Sequence, residues 1–149
     1  MDAQPLPLSQ RERLIFVNLA VKDLQRATDF FGAIGFDVDP RFTDANATCL
    51  LLGKNLYAML LSEPFFRSFT KLPLADPLAA PEAIVALSAE NRAEVDRIVD
   101  RAFAAGAAYY REPDVMPGMY SRSFKDPDGH LWEVVWMDVE EHLEGMGRA

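Results

Sequence analysis

Residues 123–136 read Ser-Phe-Lys-Asp-Pro-Asp-Gly-His-Leu-Trp-Glu-Val-Val-Trp. This segment predicts a β-hairpin in which Phe124 ends one strand and His130 begins the next, which runs to Met137. Residues 126–129, Asp-Pro-Asp-Gly, have the composition of a tight turn, because proline fixes φ early in a turn and glycine supplies a positive φ. The second strand is rich in Trp and Val, which favour strands.

The second strand of this hairpin carries a carboxylate, Glu133, among apolar neighbours. Side chains alternate along a strand, and both faces of this one are mostly apolar, which predicts burial on both sides. A buried carboxylate is costly unless it is paired, protonated or bound to a ligand. Two hypotheses remain open for Glu133: it contacts a ligand or acts as a base, or it forms an interior ion pair with Arg122 across the hairpin. The two predicted faces are Leu131, Glu133, Val135, Met137 and His130, Trp132, Val134, Trp136.

Composition narrows the classes of function. The chain has 149 residues, half of them hydrophobic, which predicts one compact domain with a substantial core. A net charge of −8 without a basic run argues against nucleic acid and anionic membranes as partners. The single cysteine, Cys49, lies in an apolar run and is predicted to be a small core residue. Since no signal pattern or membrane-length apolar run is present, we expect a cytoplasmic protein.

The two halves of the chain have the same predicted order of elements: strand, helix, glycine and three strands. In the first half, Asp23 is the expected N-cap of the helix and Gly35 its end. In the second half, residues 88–91 open the helix and Gly106 closes it. The predicted strands are 14–21, 36–42, 48–52 and 56–61 in the first half, and 82–87, 107–111, 119–124 and 130–137 in the second, with a loop at 112–118.

This order divides the chain into a flexible leader (1–12), a single domain (13–138) and an acidic tail (139–149). The domain consists of modules 13–62 and 81–138, joined by a linker of residues 63–80. Three prolines and three phenylalanines in the linker are typical of a segment that either caps a core or covers a pocket as a lid, and both roles remain open.

Two motifs carry a resemblance to a known family. One is Asn18-Leu19-Ala20-Val21-Lys22-Asp23-Leu24, followed by Phe30-Phe31 and Gly35-Phe36, and the other is the segment Arg-Ser-Phe-Lys-Asp-Pro-Asp-Gly-His-Leu-Trp-Glu at 122–133. From residue 14 to 138 the chain resembles the vicinal oxygen chelate superfamily, which includes glyoxalase I, bleomycin-resistance proteins, extradiol dioxygenases and fosfomycin-resistance enzymes. The resemblance implies an α+β fold of two βαβββ modules whose concave sheets enclose a cavity. It also implies a homodimer in which both subunits can contribute to each cavity.

The resemblance also allows the family's metal ligands to be sought position by position. Metal enzymes of that family carry ligands on the first and fourth strands of each module. Glu133 matches the last of these positions, but Phe16 lies at or near the first and cannot bind a metal. The fourth strand of module one (57–61) offers no carboxylate, and Ala83 and Ile84 stand where a His or Gln is expected. We therefore predict no metal and no other cofactor.

Two functions from different classes follow from the resemblance. The first is a binder of a small organic molecule, similar to the bleomycin-resistance branch, without the family's metal. The alternative is a lyase or isomerase similar to lactoylglutathione lyase, with Glu133 as base or metal ligand. A domain without a surviving site is the third possibility. The candidate site residues are Glu133 as the catalytic group and Asn18, Tyr57, Tyr120 and Arg122 as ligand-binding groups.

Three further expectations concern side-chain placement. Asn18 and Glu133 are predicted to face one cavity, because each is a polar residue on an apolar strand in corresponding places of the two modules. His130 is predicted to be structural or solvated, since it lies on the strand face opposite Glu133. Trp132 and Trp136 are predicted to pack under helices, although an aromatic wall for a flat ligand is the alternative.

Overall fold

The structure is a computed structural model that describes residues 3–147. The predicted leader and tail extend to residues 1–2 and 148–149, which lie outside the described residues. The first half contains β1 (Ile15–Val21), α1 (Leu24–Ile34), β2 (Asp37–Val38), β3 (Ala47–Gly53) and β4 (Leu56–Ser62). The linker begins with α2 (Glu63–Arg67), and the second half contains β5 (Ile84–Ser88), α3 (Arg92–Ala104), β6 (Asp114–Met116), β7 (Met119–Lys125), β8 (Leu131–Met137) and α4 (Val139–Gly145).

The two halves form two four-stranded mixed sheets of the same topology. Their strand orders are β1-β4-β3-β2 and β5-β8-β7-β6. In each sheet the first strand runs parallel to the fourth, and the other neighbours are antiparallel. The predicted α+β fold with two βαβββ modules is therefore confirmed.

Local signals placed α1 correctly. The side chain of Asp23 accepts a hydrogen bond from the backbone N–H of Arg26 at 3.0 Å, as an N-cap residue does. Gly35 ends the helix with φ of 119°, a conformation that glycine adopts without a steric penalty. The hairpin also forms as predicted, with Ser123 opposite Glu133 and Phe124 opposite Trp132.

The edge strand of each sheet differs from the prediction. In the first sheet, residues 36–42 supply only the two-residue β2, followed by a 3-10 turn at Pro40–Phe42, because proline has no N–H for the strand ladder. In the second sheet, the prediction of a strand at 107–111 and a loop at 112–118 is wrong. Only Ala108 pairs there, with Lys125, and the edge strand is β6, in which Val115 lies opposite Tyr120.

A single core joins the two modules. The ring of Phe31 in α1 lies 5.1 Å from that of Trp132 in β8, and the ring of Phe30 lies 6.0 Å from that of Phe124 in β7. Trp136 lies under α3, where the Arg92 guanidinium is 5.0 Å from its ring. The predicted packing of both tryptophans against helices is thus present in the structure.

The opposite face of the second sheet is not buried in the single chain. Glu133 is half-buried, and the β5 residues beside it on this face, Ile84, Ala86 and Ser88, are exposed. The predicted burial of β8 on both faces is therefore wrong for one chain, because the helices cover only the face that carries Trp132. Within residues 3–147 no helix is both long enough and apolar enough to cross a membrane.

Candidate functional site

Arg122 and Tyr120 bind carboxylates on α3. One guanidinium nitrogen of Arg122, Nη1, lies 2.9 Å from Asp96 Oδ1 and 2.8 Å from Asp100 Oδ1. The Tyr120 hydroxyl donates to Asp96 at 2.6 Å. Hydrogen bonds from Tyr120 and Arg122 lower the pKa of Asp96 against the opposing effect of burial. These residues tie β7 to α3.

The proposed ion pair between Arg122 and Glu133 is wrong. Arg122 lies opposite Val134, and Glu133 lies opposite Ser123, so the alternation of side chains places the two charges on different faces of the sheet. Within the described chain, Arg122 pairs with α3 and Glu133 has no ion-pair partner.

Tyr57 lies on the face of the first sheet that points away from α1. Its ring is buried and stacks on Phe16, with centroids 4.7 Å apart and planes 11° from parallel. Phe42 meets Phe16 edge-on, with centroids 5.9 Å apart. Tyr57 thus belongs to an aromatic cluster separate from Tyr120 and Arg122.

Asn18 lines a cavity of about 610 Å³ between β1, the linker and the start of the second module. Its wall is mainly apolar, and the linker provides the larger part of it, including Phe66 and Phe69. The linker therefore forms part of the wall of a pocket. None of the other predicted site residues lines this cavity; these are Glu133, Tyr57, Tyr120 and Arg122.

Glu82 and His130 provide the charged groups of the cavity wall. The imidazole Nδ1 of His130 lies 2.5 Å from Glu82 Oε1, and its Nε2 lies 2.7 Å from the carbonyl oxygen of Ala20. A carbonyl only accepts, so Nε2 must carry a proton and donate. The contact between Nδ1 and Glu82 needs a second proton, held on the ring or on the carboxyl group. Both ring nitrogens are thereby occupied, and His130 positions Glu82 while linking β1 to the second module.

The charges around His130 explain its protonation. Burial acts to lower the pKa of His130, but the charge of Asp126 and the hydrogen bonds to Ala20 and Glu82 outweigh it, so the pKa lies above its ordinary value. Asp126 is itself buried, and burial raises its pKa. Asp126 nevertheless accepts three hydrogen bonds, from the backbone N–H groups of Asp128 and His130 and from Trp132 Nε1, each at 3.0 Å.

The sequence prediction missed Glu82 and assigned His130 a structural or solvated role. His130 does have a structural role, but it also lines the cavity. A faint signal for Glu82 was its position just before an apolar strand. Its partner His130 lies 48 residues away, which no local pattern could indicate.

The family's metal site does not fit these residues. Among residues 3–147, no three His, Cys, Asp or Glu side chains are placed to hold one ion. Phe16 and Ile84, at two of the family's ligand positions, offer no donor atom. Glu133 does not line the cavity that holds Glu82 and His130 and does not join this pair.

Comparisons with known proteins agree with this architecture. The family model described as Glyoxalase/Bleomycin resistance protein/Dioxygenase superfamily matches residues 13–134. A hypothetical protein from S. aureus is 26% identical with a TM-score of 0.71, covering 86% of this chain and 96% of its own. A search among curated proteins gave no match.

Two further structures are similar in fold. A bleomycin resistance determinant encoded on transposon Tn5 is 20% identical with a TM-score of 0.60, covering 86% of this chain and 100% of its own. The fosfomycin resistance protein FosX from Listeria monocytogenes, in complex with manganese and sulfate, is 23% identical with a TM-score of 0.65, covering 91% of this chain and 98% of its own.

Proposed function

The chain belongs to the glyoxalase/bleomycin resistance protein/dioxygenase superfamily, and from this premise we propose that it binds a small organic molecule in the cavity beside Asn18, without the family's metal. The family description includes both resistance proteins and enzymes, so membership alone does not decide between binding and catalysis. The decision rests on the residues of the site.

The observation that carries this proposal is the cavity itself. Its volume of about 610 Å³ lies within the range of small-molecule pockets, which enclose roughly 300–1,000 Å³. Its walls combine apolar side chains from β1, β4 and the linker with a few polar groups: Asn18, Thr70, Glu82 and His130. Such a composition favours an apolar ligand body oriented by a small number of hydrogen bonds.

The donor set supports metal-independent binding. Divalent metals in proteins of this kind need several imidazole or carboxylate ligands. In the cavity, His130 has both ring nitrogens engaged, one by Glu82 and the other by Ala20. The site is therefore built for hydrogen bonding.

We predict that a bulky side chain in the cavity weakens binding. Ala75 lines the cavity and is exposed at its mouth, so Ala75→Trp should weaken the binding of Nile red, a neutral fluorescent probe, by about tenfold or more through steric exclusion. Ala80→Trp is the matched control, because Ala80 is an exposed linker residue that does not line the cavity. Equal affinity of both variants, measured by fluorescence titration, would place the site elsewhere. A chelator should change none of these affinities.

Glu133 supports the second candidate function, a lyase or isomerase that uses this carboxylate as a base. It is half-buried on the exposed face of the second sheet, and no ion-pair partner faces it within the described chain. A carboxylate kept there without a partner has no evident structural use.

Glu133→Leu should therefore leave the free energy of unfolding unchanged within about 0.5 kcal/mol, or raise it slightly, because no ion pair is broken and apolar neighbours gain contact. The check is a urea titration of both proteins. A loss of about 3 kcal/mol or more would mean that Glu133 has a structural partner after all.

Elemental analysis that found one zinc or nickel per chain, lost in Glu133→Ala, would contradict metal-independent binding.

We propose further that the protein is a homodimer, as the family commonly is. The exposed apolar side chains Phe16 and Ile84, on the sheet faces opposite the helices, support this. A partner on these faces would bury Glu133 and Phe16.

A further inference from the structure

Glu82 brings an available carboxylate oxygen to the cavity. His130 engages Oε1, and the Glu82 side chain remains 32% exposed, so Oε2 is open to a donor in the cavity. Because His130 bonds the Ala20 carbonyl with its other nitrogen, the ring cannot turn away, and Glu82 is held in place. The cavity therefore has a fixed hydrogen-bond acceptor at its polar end.

The charges near this end sum to an excess of one negative charge. Glu82 and His130 share one proton and together are neutral. Asp128 lies 3.6 Å from the Arg26 guanidinium, which offsets its charge. The Asp126 carboxylate accepts three hydrogen bonds and donates none, the pattern of an ionised group, and no lysine or arginine of the described chain pairs with it.

Positive side chains do not balance this charge within the cavity. Of the described residues that line it, none is a lysine or an arginine. Lys22 and Arg67 line a neighbouring hollow of about 200 Å³, where Arg67 lies 3.6 Å from Glu63. An anion entering the cavity would meet the Glu82 carboxylate, and the one cation of the wall, the His130 imidazolium, already has both ring nitrogens engaged.

The remaining wall is suited to an apolar body. Phe66 and Leu61 line the cavity, and Phe69 and Leu72 lie at its mouth, 68% and 76% exposed. A flat or aliphatic group placed between them would remove apolar surface from water. The cavity thus has apolar side chains at its mouth and a hydrogen-bond acceptor, Glu82, at its polar end, where the surrounding charge is negative.

We propose that the ligand is an amphipathic amine, an apolar and preferably aromatic body whose primary ammonium group donates to Glu82 Oε2. This rests on the proposed function, since it concerns the same cavity. It excludes the anionic classes of small molecule, carboxylates and phosphonates among them, as preferred ligands of this cavity.

Three naphthalene probes with one body and different heads test the charge preference: 2-naphthylmethylamine, 2-naphthalenemethanol and 2-naphthoate. In calorimetric titrations of the full chain at neutral pH and low salt, the ammonium should bind about fivefold more tightly than the alcohol, and the carboxylate more weakly than the alcohol. Glu82→Gln retains an acceptor for His130 but removes the charge, so the advantage of the ammonium should disappear while the affinity for the alcohol stays. Glu63→Gln, in the neighbouring hollow, is the matched control and should keep the wild-type order.

The outcomes separate this inference from the proposed function. Binding of the alcohol with no preference for the ammonium, or with the carboxylate bound most tightly, overturns the inference and leaves the proposed function standing. Failure of all three probes to bind overturns both. If Glu82→Gln does not fold, the wild-type protein suffices: salt must reduce the ammonium's advantage, and a preference that salt does not change overturns the inference.

Discussion

Phe31→Ala should lower the free energy of unfolding by about 3–5 kcal/mol, which is the usual cost of truncating a fully buried phenylalanine. Phe31 is 1% exposed, and its ring meets Phe30 and Trp132 at centroid distances of 5.0 and 5.1 Å. Since Phe31 belongs to the first module and Trp132 to the second, the truncation opens a void at the junction of the modules. Because the two modules share this core, they should unfold together, in a single transition, in a urea titration followed by far-UV circular dichroism.

Phe69→Ala is the control, because it makes the same chemical change at a side chain that is 68% exposed. It should alter the free energy of unfolding by about 0.5 kcal/mol or less. Its effect should instead appear as weaker binding of Nile red, since Phe69 lines the mouth of the cavity. Similar destabilisation by the two variants would mean that Phe31 does not connect the modules as described.

Features defined by neighbouring residues could be predicted from the sequence. The turn at 126–129 and helix α1 follow from proline, glycine and capping residues that act within a few positions, and both formed as predicted. The edge strand β6 could not be predicted in this way. Its three residues lie between Pro113 and Pro117, a composition typical of a loop, and the strand exists because Val115 meets Tyr120 across a turn.

The site was harder to predict than the fold. Asn18 stood out as a polar residue on an apolar strand, and it does line the cavity. An ion pair of Arg122 with Glu133 was one of two hypotheses because both lie in one hairpin, whereas helix α3 supplies the partners of Arg122. The Glu82–His130–Ala20 contact joins groups that are 48 and 110 residues apart, so it depends on tertiary packing, which a single sequence does not display.

His130→Leu should lower the free energy of unfolding by about 2–3 kcal/mol near neutral pH, because it leaves the Ala20 carbonyl and Glu82 without their partner in a largely buried place. The second histidine provides the control. Within the described chain, the imidazole of His142 in α4 has one hydrogen-bond partner, the Pro117 carbonyl at 3.2 Å, so His142→Leu should cost less than about 1 kcal/mol. Equal losses of unfolding free energy in the two variants would mean that the hydrogen bonds of His130 do not hold β1 to the second module.

The contacts of His130 with Ala20 and Glu82 also predict how the free energy of unfolding depends on pH. The pKa of His130 is raised in the folded protein, so the stabilisation from its proton is complete below the unfolded value of about 6.5 and is lost as the pH rises through the folded value. Asp126, whose pKa is also raised, contributes with the same sign but begins at lower pH, near its own unfolded value of about 3.9. Urea titrations between about pH 6 and 8.5 should therefore show wild-type stability falling by up to about 1.4 kcal/mol per pH unit. The slope of unfolding free energy against pH should flatten in His130→Leu and persist in His142→Leu. A wild-type protein whose stability stays constant or rises across this range would refute a protonated His130 paired with Glu82.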